Sequence, residues 1–177
     1  MKPEPTVREA GEDDVPAIMA ILHSAARGLT YHFGKGPWSR EATEKGTRFS
    51  LAHSRAFLAE LGGMPVGTFR LTKRKPWAID PSYFSPASRP IYLMDMAVSN
   101  EAQRKGLGRA MLARAMLVAQ SWPADFIRLD AYDAEAGASE FYRRCGYASC
   151  GGKKYRGTAL LYYEVPVTTI TNLGARK

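Results

Sequence analysis

The segment Gln103-Arg104-Lys105-Gly106-Leu107-Gly108-Arg109-Ala110 sets two glycines and three cations at the start of a helical run from Leu107 to Gln120. An apolar, strand-like run, Ile91-Tyr92-Leu93-Met94-Asp95-Met96-Ala97-Val98, precedes it. A strand, a glycine-spaced turn and a helix together build an anion site. The first N–H groups of a helix lack partners and carry partial positive charge, which favours phosphate. Glycine lets backbone approach a ligand where a Cβ would obstruct it. Arg104, Lys105 and Arg109 add charge at the same place. The turn therefore reads as a cradle for a phosphorylated ligand, a diphosphate above all. Two commoner phosphate loops are excluded. A dinucleotide fingerprint needs glycine where Met111 stands, and a P-loop needs a lysine directly after its last glycine, where this chain has Leu107 or Arg109.

Other residues bound what the rest of the chain can do. With 177 residues and 45% hydrophobic content, the chain suffices for one domain with a real core. Lys and Arg number 25 against 17 Asp and Glu, giving +8, and the pI is about 9.6. That excess suits polyanions, whether a phosphorylated cofactor or nucleic acid. The cations are dispersed and no nucleic-acid motif accompanies them, which argues against a nucleic-acid partner. Cys145 and Cys150 have no histidine nearby and no second pair, so neither a zinc site nor a disulfide framework is indicated. Free thiols, the lack of an apolar signal core in Met1-Lys2-Pro3-Glu4-Pro5, and the lack of any apolar run near the ~18 residues of a membrane span lead to the expectation of a soluble cytoplasmic protein.

The elements that must position the turn follow from periodicity. Thr6 to Ala10 alternates as a short strand. Asp13 or Asp14 with Pro16 opens a helix whose apolar residues, Val15, Ile18, Ile21, Leu22 and Ala25, keep helical spacing, and Gly28 is expected to stop it. Residues 29–37 read as an aromatic loop, and Trp38 to about Ser50 as a second helix with Ser39 as its cap. Arg55–Glu60 and Val66–Leu71 flank Gly62-Gly63-Met64-Pro65 as a hairpin. Residues 73–90 form a proline-rich loop carrying Trp77, Tyr83 and Phe84. After the strand at 91–98 and the helix at 107–120 come a strand at 126–132, a short helix at 138–144 stopped by Gly146, and a strand at 158–165. Another short strand fits around 148–155. The class is α/β, with a parallel, right-handed crossover from 91–98 to 126–132. Residues 1–167 are read as one domain and 168–177 as a loose tail.

The pattern Q-x-x-G-x-G at Gln103–Gly108 resembles motif A of the GCN5-related N-acetyltransferases, the GNAT superfamily. Phe141-Tyr142-Arg143-Arg144-Cys145-Gly146-Tyr147 resembles a second signature of that family, and the element order agrees from about Thr6 to Val165. The resemblance implies a GNAT-like fold with a mixed, mostly antiparallel sheet of six to seven strands flanked by about four helices. It implies that acetyl-coenzyme A is the acyl donor, with no metal. Backbone amides of Gln103, Arg104, Lys105, Gly106, Leu107, Gly108 and Arg109 would hold its pyrophosphate, and Met96, Ala97 and Val98 its pantetheine arm and thioester carbonyl. Tyr142 would border the sulfur as general acid.

The same resemblance leaves the base open between Asp130, Asp95 and a water chain. It places the acceptor pocket at the loop between the first two helices and at strand-edge loops, here Tyr31, His32 and Phe33 with Trp77, Tyr83 and Phe84. Aromatics suit an apolar or cationic acceptor, or alternatively a homodimer contact. Glu135 stands where many relatives have an asparagine, which puts that asparagine's coenzyme contact in doubt. Asn100 replaces a frequent proline, a difference expected to change little. The implied activity is acetyl transfer from acetyl-CoA to a primary amine by direct transfer in a ternary complex. The acceptor is a small molecule, an amino acid or a peptide N-terminus. A catalytically silent acyl-CoA-binding sensor and a basic nucleic-acid binder are the competing readings.

Overall fold

The computed structural model describes residues 4–168. Seven strands form one sheet in the order β1-β2-β3-β4-β5-β7-β6. Their ranges are β1 Thr6–Glu9, β2 Arg55–Leu61, β3 Met64–Thr72, β4 Pro90–Val98, β5 Phe126–Tyr132, β6 Ala148–Tyr155 and β7 Thr158–Pro166. Four α-helices accompany them: α1 Val15–Phe33, α2 Glu44–Ala52, α3 Leu107–Ser121 and α4 Ser139–Arg144. Every strand pair is antiparallel except β4 with β5, which is parallel as the crossover through α3 requires. The expected α/β class and mostly antiparallel sheet are therefore present. The loose tail falls largely on 169–177, outside the described residues.

Strand alternation divides the side chains between two faces. Phe57, Phe69, Leu71, Ile91, Leu93, Ile127 and Leu129 meet Leu107, Met111, Ala115 and Val118 of α3 in the main core. On the other face, Ala56 and Leu58 pack against Ile18 and Ile21 of α1. Further along that face, the 73–90 segment lays Ile79 and Phe84 on Tyr92, Leu160 and Tyr162. Beneath it lies a buried ion pair, Arg128 with Glu164, 4% and 7% exposed. Glu164 accepts the Ser85 N–H at 3.1 Å, and the Arg128 guanidinium stacks 4.8 Å from the Phe84 ring centroid. The segment is thus fastened to the sheet through both charge and packing.

Two helix boundaries differ from the sequence expectation. α1 passes through Gly28 and ends at Gly34, whose φ of 76° and N–H bond to Thr30 close the helix. A Cβ on Gly28 would lie 2.0 Å from the Asn100 side chain, so this glycine serves close packing and not termination. Asn100 uses that space to donate from Nδ2 to the Ser24 carbonyl at 2.8 Å, and its N–H bonds the Ser24 hydroxyl at 3.1 Å. Asn100 therefore ties the glycine turn to α1, more than a proline substitute would do. The second helix starts at Glu44, not Trp38. Ser39 caps a short 3-10 turn at Pro37–Ser39, and the Thr43 hydroxyl caps α2 by accepting from Gly46 N–H at 3.1 Å.

Candidate active site

The two strands that form the parallel pair stay together for only three residues. Pro90, Ile91 and Tyr92 pair with Phe126, Ile127 and Arg128, and there the ladder ends. Beyond it, β4 continues on β3 alone and β5 on β7 alone. A bulge in β4 accompanies the divergence. Thr68 faces Ala97 and Arg70 faces Met94, so Phe69 opposes two residues, Asp95 and Met96. Asp95 has φ 51°, a left-handed conformation that costs about 1–3 kcal/mol for a non-glycine residue and clusters at functional sites. Its carboxylate takes a charged hydrogen bond from Arg70 Nε. Along Leu93–Val98 the backbone groups that face β5 therefore have no strand partner, although such groups demand one. An extended ligand arm lying in the gap would supply it.

The glycine turn sits at the end of β4. Gln103 Nε2 donates to the Val98 carbonyl at 3.3 Å and fixes the turn to the strand. Arg104 (φ 61°) and Gly106 (φ 83°) are both left-handed. Gly106 is the N-cap of α3 and makes no side-chain cap, and Ala110 N–H is the one that bonds back to it, at 3.2 Å. The amides of Leu107, Gly108 and Arg109 are consequently left for a ligand, with exposed Arg104, Lys105 and Arg109 around them. Gly108 has a different reason to be glycine. A Cβ there would stand 2.8 and 3.0 Å from the Phe141 ring and 3.6 Å from the Met96 methyl.

That contact brings the two sequence signatures together. Phe141 leans on the turn, and Tyr142 is buried among Phe141, Tyr147 and Tyr163. The Tyr142 hydroxyl donates to Met96 Sδ at 3.8 Å, a weak acceptor on the β4 side of the gap. Burial, with Asp130 adding repulsion, pushes the phenol well above its usual value of 10. Asp130 lies on β5 and faces away from the α3 core. Burial first, and the charge of Asp95 second, raise its carboxyl above the ordinary range. The Asp130 charge thus acts on Tyr132 and Tyr142, and the Asp95 charge on Asp130 and Tyr132.

A cavity of about 710 Å³ opens between α1, α2 and the sheet, and it reaches the β4 backbone at Met96, Ala97 and Val98. Its walls include Leu22, Leu29, Trp38, Arg70, Asp95 and Tyr132. Trp38 and Tyr132 meet edge to face at 5.8 Å. The six aromatic or histidine residues expected around the acceptor lie outside this cavity. Tyr31, His32 and Phe33 occupy the last turn of α1, with Tyr31 86% exposed, because that helix outlasts Gly28. Trp77 is 81% exposed, Tyr83 covers Gly151, and Phe84 is buried over Arg128. None of the six lines the cavity. Tyr132 went unread, although it shares the face of Asp130 two residues on. Arg70 shares the polar face of Thr68 and Thr72 in the same way. Trp38 had no such signal. Glu135 is exposed in the loop after β5.

The family model described as Acetyltransferase (GNAT) family matches residues 18–147. The chain belongs to the GNAT acetyltransferase family. Solved structures of similar fold include the ribosomal-protein-S18-alanine N-acetyltransferase from Escherichia coli. It is 14% identical, with a TM-score of 0.69, and the match covers 98% of this chain and all of the other (100%). A structure from Salmonella typhimurium, described as an acetyltransferase with its cofactor acetyl-CoA, is 17% identical, with a TM-score of 0.67 and coverage of 97% and 99%. An N-acetyltransferase from Staphylococcus aureus Mu50 is 19% identical, with a TM-score of 0.66 and coverage of 93% and 99%. At such identities the likeness is one of fold. No curated protein sequence matches. The site of this GNAT protein has a glycine turn, a parted strand pair and an adjoining cleft. Among the described residues no cluster of three His, Cys, Asp or Glu could hold a metal, and no helix is long and apolar enough to cross a membrane.

Proposed function

We propose that this GNAT protein moves an acetyl group from acetyl-CoA to a primary amine within a ternary complex. The observation that carries the proposal is the parting of β4 from β5 after Tyr92, directly ahead of the Gly106–Gly108 turn. The free amides of the turn suit the pyrophosphate, and the unpaired edge of β4 at Met96, Ala97 and Val98 suits the pantetheine arm. A β4 N–H there would polarise the thioester carbonyl, a contribution of up to ~3 kcal/mol as charge builds on oxygen.

The acceptor enters from the cavity side. Its ammonium loses one proton to a base, for which we take Asp130 on β5, whose carboxyl burial holds above its ordinary range; Asp95, on the cavity wall, or a water chain is the alternative. The neutral amine attacks the thioester carbon, and collapse of the tetrahedral adduct breaks the C–S bond. One proton of the adduct's nitrogen ends on coenzyme sulfur, giving amide and free thiol. Tyr142 is protonated at any working pH, since its phenol lies above 10. A thiol titrates near 8.5, so full transfer from the phenol is uphill by at least ~2 kcal/mol. Tyr142 therefore acts chiefly by donating a hydrogen bond to the departing thiolate. Cys150 does not compete as a nucleophile, because burial and Glu164 push its thiol up to about 11. A cytoplasmic location, where free cysteines stay reduced, belongs to the same proposal.

The test follows free thiol released from acetyl-CoA across a panel of primary amines, with coenzyme A binding measured in parallel by calorimetry. Binding together with amine-dependent release supports the proposal. Binding without release from any amine favours an acyl-CoA sensor, and no binding removes the coenzyme assignment altogether.

A further inference from the structure

The acceptor cavity holds one charged pair directly against the bulge of β4. Arg70 Nε donates to Asp95 Oδ2, and both residues line the cavity. Among the described residues the two Nη groups of Arg70 and the other carboxylate oxygen of Asp95 have no hydrogen-bond partner. The Arg70 side chain is partly buried, at 17% exposed, whereas Asp95 is half exposed. A cation fork and a carboxylate oxygen therefore stand side by side, beside the backbone that receives the thioester. The same cavity wall carries apolar and aromatic groups, Leu22, Leu29 and Trp38, beside polar ones such as Arg40, Glu41 and Thr43.

We infer that the acceptor is a free α-amino acid with an apolar or aromatic side chain. This rests on the acetyltransferase reading above and names its substrate class. An α-amino acid carries an ammonium and a carboxylate on one carbon, the complement of adjacent Asp95 and Arg70. The Arg70 Nη groups can bind a carboxylate with two parallel hydrogen bonds, a geometry that lysine cannot reproduce. The free Asp95 oxygen takes the ammonium and holds the nitrogen at Met96 and Ala97, where transfer occurs. The side chain then extends along Leu22, Leu29 and Trp38. A peptide N-terminus or a simple amine offers no carboxylate at that carbon and leaves the guanidinium unpaired once water is excluded. Sites built to hydrogen-bond a group reject analogues that lack it.

The experiment measures thiol release from acetyl-CoA by the full-length protein with leucine and phenylalanine. It compares them with their amides and with the amines that lack the carboxyl group altogether. The free acids are expected to exceed both analogues in kcat/KM by about ten- to a hundredfold. Arg70→Gln brings that ratio close to one, and Arg70→Lys leaves an intermediate ratio because charge remains without the fork. The ratio compares substrates on one protein sample, so a purely structural role for Arg70 would not move it. Equal or faster turnover of the amides or decarboxylated amines overturns this inference and leaves the acetyltransferase reading standing. Lack of transfer to every acceptor overturns both.

Discussion

Gly106→Ala tests whether the glycine turn is held in its ligand-binding shape before the ligand arrives. Gly106 has φ 83°, and no atom lies within 4 Å of where its Cβ would stand. The cost of alanine is therefore backbone strain without a clash. A left-handed alanine costs about 1–2 kcal/mol relative to glycine. Restriction of the unfolded chain returns about 0.5 kcal/mol, which leaves roughly 1 kcal/mol net. Two observables share this amount. If the turn keeps its shape, thermal unfolding of the free protein falls by about 2–4 °C for a chain of this size. If the turn relaxes instead, stability is kept and coenzyme A binds about fivefold more weakly. Gly106→Asn should lose less on both counts, since asparagine tolerates the left-handed region. Thermal unfolding and calorimetric titration of the three proteins measure both terms. Unchanged stability together with unchanged affinity in Gly106→Ala would refute the claim that this backbone conformation forms the anion cradle.

Tyr142→Phe removes one hydroxyl whose partner is the weak acceptor Met96 Sδ, so the fold should survive. Its kcat should drop by about a hundredfold or more while coenzyme affinity shifts less than about threefold, as rapid-quench turnover and calorimetry would show. For Asp130, whose carboxyl is held above its usual range by burial, kcat/KM should fall as pH drops through that raised value, and Asp130→Asn should abolish this acid limb. The same shift has a definite sign for stability. A carboxyl raised by folding favours the folded state below its ordinary pKa, and that advantage is lost as pH rises through the folded value. Asp130→Asn should therefore unfold at a higher temperature than wild type at neutral pH while turning over more slowly. Glu164→Gln leaves the buried Arg128 charge without its counter-charge, a loss of about 3 kcal/mol. Its melting temperature should fall by about 6–12 °C, read by calorimetry.

The glycine turn and the elements around it were legible because they depend on local pattern. The Gln103–Gly108 turn, the strand before it and Phe141–Tyr147 each carry their signal within a few neighbouring residues. Even the two glycines, one needed for φ and the other for proximity to Phe141, stand inside a single hexapeptide. The walls of the cavity were hidden because they depend on where α1 ends and α2 begins. Gly28 resembles a helix stop, yet its space is taken by Asn100, 72 positions later in the chain, a contact that no local pattern announces. Once α1 runs on to Phe33, Tyr31 and its neighbours turn outward, and Trp38 takes the place at the cavity wall. Arg70 and Asp95 meet through a bulge set by strand register, which neither strand's sequence displays.

The central claim is direct transfer in the parted strand pair, and intact-protein mass spectrometry during a single turnover tests it most directly. Protein in excess over acetyl-CoA, without acceptor, should gain no acetyl group and release no burst of thiol. Addition of a competent amine should then yield acetylated amine and free thiol one for one. A thiol burst without acceptor, with protein heavier by one acetyl group at Cys145 or Cys150, would contradict the account.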